Sequence, residues 1–270
     1  MTWLEYDFMR RALLAALVIG AVAPAIGVFL VQRRLALLGD GMGHVALTGV
    51  GLAFLTGTAP VPTALAVSVL GAIGIEVLRA RSRSAGDVIL ALVFYGGIAG
   101  GVLLTYLAGN RAASSLTQYL FGAITTVSAA DLAWLAAAAV AVLAVLAVFG
   151  REMFAVAFDP EVAHTQGIRT QFISTLITVL AAITVVIGMR TVGLLLVSAI
   201  MIVPIAAAQQ ISASFRGTAA LGAGIGMASA VGGVIASYYV DAPSGATIVL
   251  LTLACFVAAL IVGAVARRRA

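Results

Sequence analysis

Asp40 and His44 stand four residues apart in the run Leu38-Gly39-Asp40-Gly41-Met42-Gly43-His44. On a helix, that spacing sets a carboxylate and an imidazole on one face. Such a pair can hold a divalent transition metal, its nitrogen suiting zinc and its oxygen suiting manganese. A second reading of the same residues has Asp40 capping a helix over 42–57 and His44 packing against a neighbour. The surroundings favour the first. In the stretch 41–75, His44 is the sole titratable group, and ionisable groups inside apolar segments are costly and mark pathways. The chain's two histidines lie 120 residues apart, which leaves no constellation for an intramembrane enzyme.

The second informative stretch is the longest polar interruption, 151–170. Its centre is Asp159-Pro160-Glu161-Val162-Ala163-His164-Thr165-Gln166-Gly167. Asp159 is a good N-cap, and Pro160 suits a first turn that needs no backbone donor. Gly167 is placed to end the helix. A short helix of about two turns is therefore expected between two apolar segments. His164, in the middle of it, reads as a contact residue and not as a metal ligand.

The elements that must position these groups are membrane helices. Hydrophobic residues make up 63% of the chain and charged residues 9%, against roughly 25% charged in a soluble domain. A bilayer span needs about 20 apolar residues. Charge-free runs of that order occur at 12–32, 88–110, 132–150, 170–189, 191–215, 217–240 and 242–266. The stretch 41–75 is interrupted by Gly57, Pro60 and Pro62 and reads as helices over 42–57 and 61–80. The expected fold is all-α, a polytopic membrane bundle of eight or nine spans in one domain over 1–270. The shortest segment, 42–57, decides between eight and nine. A β-barrel is excluded, because the apolar runs are continuous and do not alternate.

All fifteen basic residues are arginines. Without lysine the chain cannot build a phosphate-binding loop, whose signature ends in Gly-Lys-Ser/Thr. Any ATP that drives this protein must sit on another chain, and the chain itself is not expected to be an enzyme. With nine crossings and Arg267-Arg268-Arg269 in the cytoplasm, eleven arginines fall inside and four outside, as the positive-inside rule requires. The N-terminus is then external, with no signal peptide, and the 151–170 stretch is cytoplasmic. The pI near 10.0 reflects arginines flanking spans and not a nucleic-acid surface.

Other polar residues have structural readings. Ser84-Ala-Gly-Asp87 and Ser128-Ala-Ala-Asp131 match the capping pattern S-x-x-D ahead of apolar runs. Glu76 precedes Arg79 by three residues, a spacing that pairs side chains along a helix. Pro24 and Pro204 should kink or locally unwind their helices. Gly96 and Gly100, and Gly222 and Gly226, are spaced for close helix approach in lipid. Cys255 is a small hydrophobe in the last apolar run.

Arg33-Arg34-Leu35-Ala36-Leu37-Leu38-Gly39-Asp40 through His44 resembles the opening of the zinc/manganese-type metal-ion ABC importer permeases, in which a G-D-x-x-x-H element follows the first span. Gln118-Tyr119-Leu120-Phe121-Gly122 before Asp131, and Val192-Gly193-Leu194 leading to Val203-Pro204-Ile205, resemble the same family. Glu161-x-Ala163-x-x-x-Gly167 matches the E-x-A-x-x-x-G core with which such permeases dock on their ATPase. The resemblance covers essentially the whole chain. It implies a type II importer fold and a permease homodimer. Its expected partners are two ABC ATPase subunits, which carry the ATP, and an extracytoplasmic metal-binding protein. Zinc is the first expected cargo and manganese the second; no permanently bound cofactor and no nucleic acid are expected. The implied location is the bacterial cytoplasmic membrane. By the same resemblance Asp40 and His44 are the metal residues. The coupling loop is about 152–169, with Asp159, Pro160, Glu161, Ala163 and Gly167 as its key positions. The sequence departs from the family in reading Gly41-Met42-Gly43 between Asp40 and His44. The alternative is a secondary, gradient-driven transporter without an ATPase, for which Glu76 would have to be the coupling acid.

Overall fold

The computed structural model describes residues 6–81, 86–109, 119–120, 122 and 127–269. Ten helices run through them in order: α1 (Asp7–Gln32), α2 (Leu38–Thr56), α3 (Pro60–Arg81), α4 (Gly86–Leu107) and α5 (Ala129–Phe158). They continue as α6 (Pro160–Thr165), α7 (Thr170–Thr191), α8 (Leu194–Gln209), α9 (Phe215–Val240) and α10 (Ser244–Arg269). No strand occurs among the described residues. The all-α expectation holds, and eight helices, all except α6 and α8, are long and apolar enough to cross a membrane.

The 191–215 run does not form one long span. Gly193 adopts φ +96° and breaks the chain between α7 and α8, a conformation open to glycine and costly for other residues. What remains, α8, has 16 residues. It rises about 24 Å, short of a hydrocarbon core of about 30 Å.

α2 differs from expectation in the other direction. It begins at Leu38, not at 42, and reaches 19 residues. Three glycines in its first turns should weaken it by about 1 kcal/mol each. Burial overrides that cost. Leu38 and Met42 are fully buried, and Gly39 faces Ser198 of α8. A Cβ at Gly43 would come within 2.6 Å of Leu194. The glycines thus let α2 sink against α8, and tertiary packing extends the helix.

Between apolar helices in lipid there is little hydrophobic drive, so close van der Waals contact holds the bundle. Gly20 of α1 faces the Gly226 backbone of α9, and a Cβ at Gly27 would overlap the Met201 carbonyl of α8. Gly222 admits Ile205. In α4 the expected register shifts by one. Gly97, Gly100 and Gly101 meet α2, whereas Gly96 faces open space. α1, α2 and α7 are the most buried spans, and α3, α4, α5 and α10 lie at the periphery.

Neither proline interrupts its helix, so the local unwinding expected at Pro24 and Pro204 is absent. The Pro24 ring fills the space that Gly226 leaves open. α5 runs past its apolar stretch to Phe158, because Met153, Val156 and Ala157 keep one face buried. Much of the interruption expected from 151 onward is therefore helix. The Ser128–Asp131 capping box forms as expected. Asp131 also binds Arg190 at 2.8 Å, tying the start of α5 to the end of α7. The Ser84–Asp87 cap lies outside the described side chains.

Candidate functional site

Because α2 starts at Leu38, Asp40 and His44 lie one turn apart on a continuous helix. Asp40 does not act as a side-chain N-cap; the cap position is Leu37, which has no side-chain bond. The carboxylate instead turns to α8, where Ser198 Oγ donates to its Oδ1 at 2.8 Å. Asp40 also borders a cavity of about 230 Å³ with Leu37, Leu90, Ala91, Phe94 and Tyr95. Tyr95 is 68% exposed, so this wall of α4 is open on the outside of the single chain.

His44 is half-buried one turn further along α2. Its ring meets Phe94 edge-on at 4.6 Å, and Gly97 brings the α4 backbone against it. Thr48, a turn beyond, donates to the Gly97 carbonyl at 2.8 Å and fixes α4 to α2. His44 Nδ1 is buried and finds no hydrogen-bond partner among the described residues. An orphaned buried nitrogen carries a desolvation cost, which a bound cation would remove. Among the described residues no cluster of three or more His, Cys, Asp and Glu side chains forms. Asp40 and His44 are the only two such side chains on α2.

A second polar cluster was only partly legible. Glu76 is 5% exposed, and Arg79 pairs with it at 2.9 Å, as their spacing predicted. Thr178 of α7 also donates to Glu76 Oε1, at 2.7 Å. Arg33, at the end of α1, donates to Ser174 of α7 at 3.0 Å. Burial lowers the pKa of the Arg33 guanidinium below its ordinary value, while Glu76 raises it and Arg79 lowers it further. Lone hydroxyls such as Ser174 and Thr178 carry no pattern in sequence. The one signal was an acid, Glu76, within an apolar run.

The 159–167 segment folds as its caps dictate. Asp159 Oδ1 accepts from the backbone N–H groups of Glu161 and Val162, both at 3.0 Å. Pro160 occupies the first turn of the six-residue α6. Gly167, at φ +83°, closes the end by donating to the His164 carbonyl at 3.0 Å. Ala163 is buried, whereas Glu161, His164 and Gly167 are exposed. The segment thus presents an exposed face between α5 and α7 and is separate from the Asp40–His44 element.

Known proteins resemble the chain over nearly its whole length. The manganese transport system membrane protein of Halalkalibacterium halodurans is 32% identical over 254 residues, covering 94% of this chain and 86% of that protein. A probable iron transport system membrane protein of Haemophilus influenzae is 32% identical over 258 residues, covering 95% and 94%. Among solved structures, PsaBC from Streptococcus pneumoniae in complex with Fab superposes with a TM-score of 0.86 at 28% identity. That match covers 96% of this chain and 92% of the other. The model of the ABC 3 transport family matches residues 5–263, and the chain belongs to that family of metal-ion ABC transporter permeases.

Proposed function

We propose that this chain is the membrane-spanning subunit of an ATP-driven importer for a divalent transition metal, with Asp40 and His44 as its cargo residues. The observation that carries the reading is the Asp40 carboxylate. It is anchored by Ser198, borders a cavity, and lies a turn from an imidazole with an orphaned nitrogen. Two donors per chain hold an ion weakly enough to release it, as transport demands.

In this reading two copies of the chain meet across the path, with the open wall of α4 near Asp40 facing the partner copy. An extracytoplasmic metal-binding protein delivers the ion from outside. Two ATPase subunits dock on the exposed face of α6, around Glu161, on the cytoplasmic side, where the C-terminus also lies. ATP binding and hydrolysis on those subunits move α6, and α7, four residues beyond α6, carries the motion into the bundle. The single domain spans 1–270. Relatives named for manganese, together with a carboxylate oxygen in the site, support manganese as a cargo alongside zinc. A gradient-driven reading needs Glu76 as its coupling acid, and Arg79 and Thr178 already occupy its carboxylate.

The test is uptake of manganese and zinc in a transport-deficient host carrying the full system. Parent, Asp40→Ala and His44→Ala are compared at equal membrane abundance. Loss of uptake in both variants is the expected result. Undiminished uptake in both would remove the pair from the transport path.

A further inference from the structure

We infer that Ser198 is a positioning residue for the cargo site: its hydroxyl holds the Asp40 carboxylate in the orientation that receives the metal. The inference rests on the proposed role of Asp40 and extends it to a residue on another helix. It begins from what Asp40 lacks. An acid at the third position of a helix can reach back to the backbone N–H of the cap residue, yet the bond described for Asp40 goes to another helix. Its described partner is Ser198, 158 residues away in sequence, at 2.8 Å.

The site is built for this contact. Ser198 is 9% exposed. Gly39, next to Asp40, has no side chain, and an added Cβ would come within 3.4 Å of the Ser198 Cβ. That close approach brings the hydroxyl within reach of the carboxylate. Ser198 does not border the cavity beside Asp40, so its hydroxyl holds the carboxylate without lining the space an ion would enter. With one lone pair of Oδ1 engaged by Ser198, Asp40 keeps Oδ2 and the other lone pair of Oδ1 for a cation. Groups that orient a metal ligand from behind typically cost about 10- to 100-fold in affinity when removed.

The bond also joins two elements. α8 hangs from the Gly193 break and contains Pro204, so the donor rides on a separate short helix. The Asp40 geometry therefore depends on the seating of α8 against α2.

The experiment titrates manganese(II) into the purified permease–ATPase complex. Binding is followed by loss of the free-ion electron paramagnetic resonance signal for parent, Ser198→Ala, Ser198→Thr and Asp40→Ala. Ser198→Ala should weaken binding by about tenfold or more, and Ser198→Thr, which restores the hydroxyl, should return it to within about threefold of the parent. Thermal unfolding of Ser198→Ala should stay near that of the parent, because a structural role alone would shift melting and not affinity. Unchanged affinity in Ser198→Ala, with binding abolished in Asp40→Ala, overturns this inference and leaves the cargo site standing. Failure of Ser198→Thr to restore binding overturns it as well. Unchanged affinity in Asp40→Ala sinks the cargo reading itself, and the role of Ser198 with it.

Discussion

Thr178 donates a hydrogen bond to Glu76 Oε1 at 2.7 Å across 102 residues of sequence, and both side chains are buried. The same oxygen receives Arg79 at 2.9 Å. Removing Glu76 strands the partly exposed Arg79, at a cost up to the roughly 3 kcal/mol of a fully buried pair. Hydrogen bonds between membrane helices average about 0.6 kcal/mol. Glu76→Ala should therefore lower the melting temperature of the detergent-solubilised protein sharply, and Thr178→Val only slightly. The reverse order would mean that Arg79 finds compensation elsewhere.

Gly97 and Gly96 are neighbours with opposite surroundings. A Cβ at Gly97 would lie 2.8 Å from the His44 carbonyl carbon, which is backbone and cannot yield, whereas one at Gly96 meets nothing. Overpacking typically costs about 1–3 kcal/mol. Gly97→Ala should destabilise by about that amount and depress metal uptake by lifting α4 from His44. Gly96→Ala should be neutral, or stabilising by up to about 1 kcal/mol through helix propensity. Thermal melting together with uptake at matched abundance decides the matter.

The α6 segment can be tested apart from the bundle. Asp159→Ala removes the N-cap, worth about 1 kcal/mol. Gly167→Val forces a β-branched residue into φ +83°, at about 1–2 kcal/mol or more. Both should cut uptake and reduce co-purification of the ATPase, while unfolding of the transmembrane part stays near that of the parent. Normal ATPase association with normal uptake in Gly167→Val would remove α6 from the coupling role.

Asp131 and Arg190 form a pair of unequal partners, 8% and 47% exposed at their side chains. The charge left by Arg190→Gln is the buried Asp131, but it keeps its bonds from Ser128 and the amide can still donate to it, so the cost should be about 1 kcal/mol. Asp131→Ala loses the ion pair and also the half of the capping box in which its carboxylate accepts from the Ser128 N–H and hydroxyl, adding about 1 kcal/mol. The measured difference in melting should follow that order, and it should narrow little with added salt, because capping is local.

Much of the architecture could be read along the chain. Composition fixed the solvent as lipid, and uninterrupted apolar runs located most of the spans, although 191–215 is broken at Gly193 and α5 runs on to Phe158. The α6 segment was equally legible, since Asp159, Pro160 and Gly167 act on backbone groups two to four residues away. The misses have one origin. Glycine spacing announced close packing in α4 but not which glycines face α2, because a small-residue run has no intrinsic register. The start of α2 lies earlier than expected because local propensity argues against three glycines in its first turns, while packing of Gly39 and Gly43 against α8 holds them in the helix.

The sequence by itself determined the class of fold, the capped segment between α5 and α7, and the Asp40–His44 spacing, all of which rest on interactions within a few residues. Tertiary structure alone decided which hydroxyl reaches which acid: Ser198 to Asp40, Thr178 to Glu76. Serine and threonine satisfy themselves on their own helix as readily as on another, so nothing in a linear pattern distinguishes the two cases. Only the docking of α8 on α2, and of α7 on α3, brings donor and carboxylate within bonding distance.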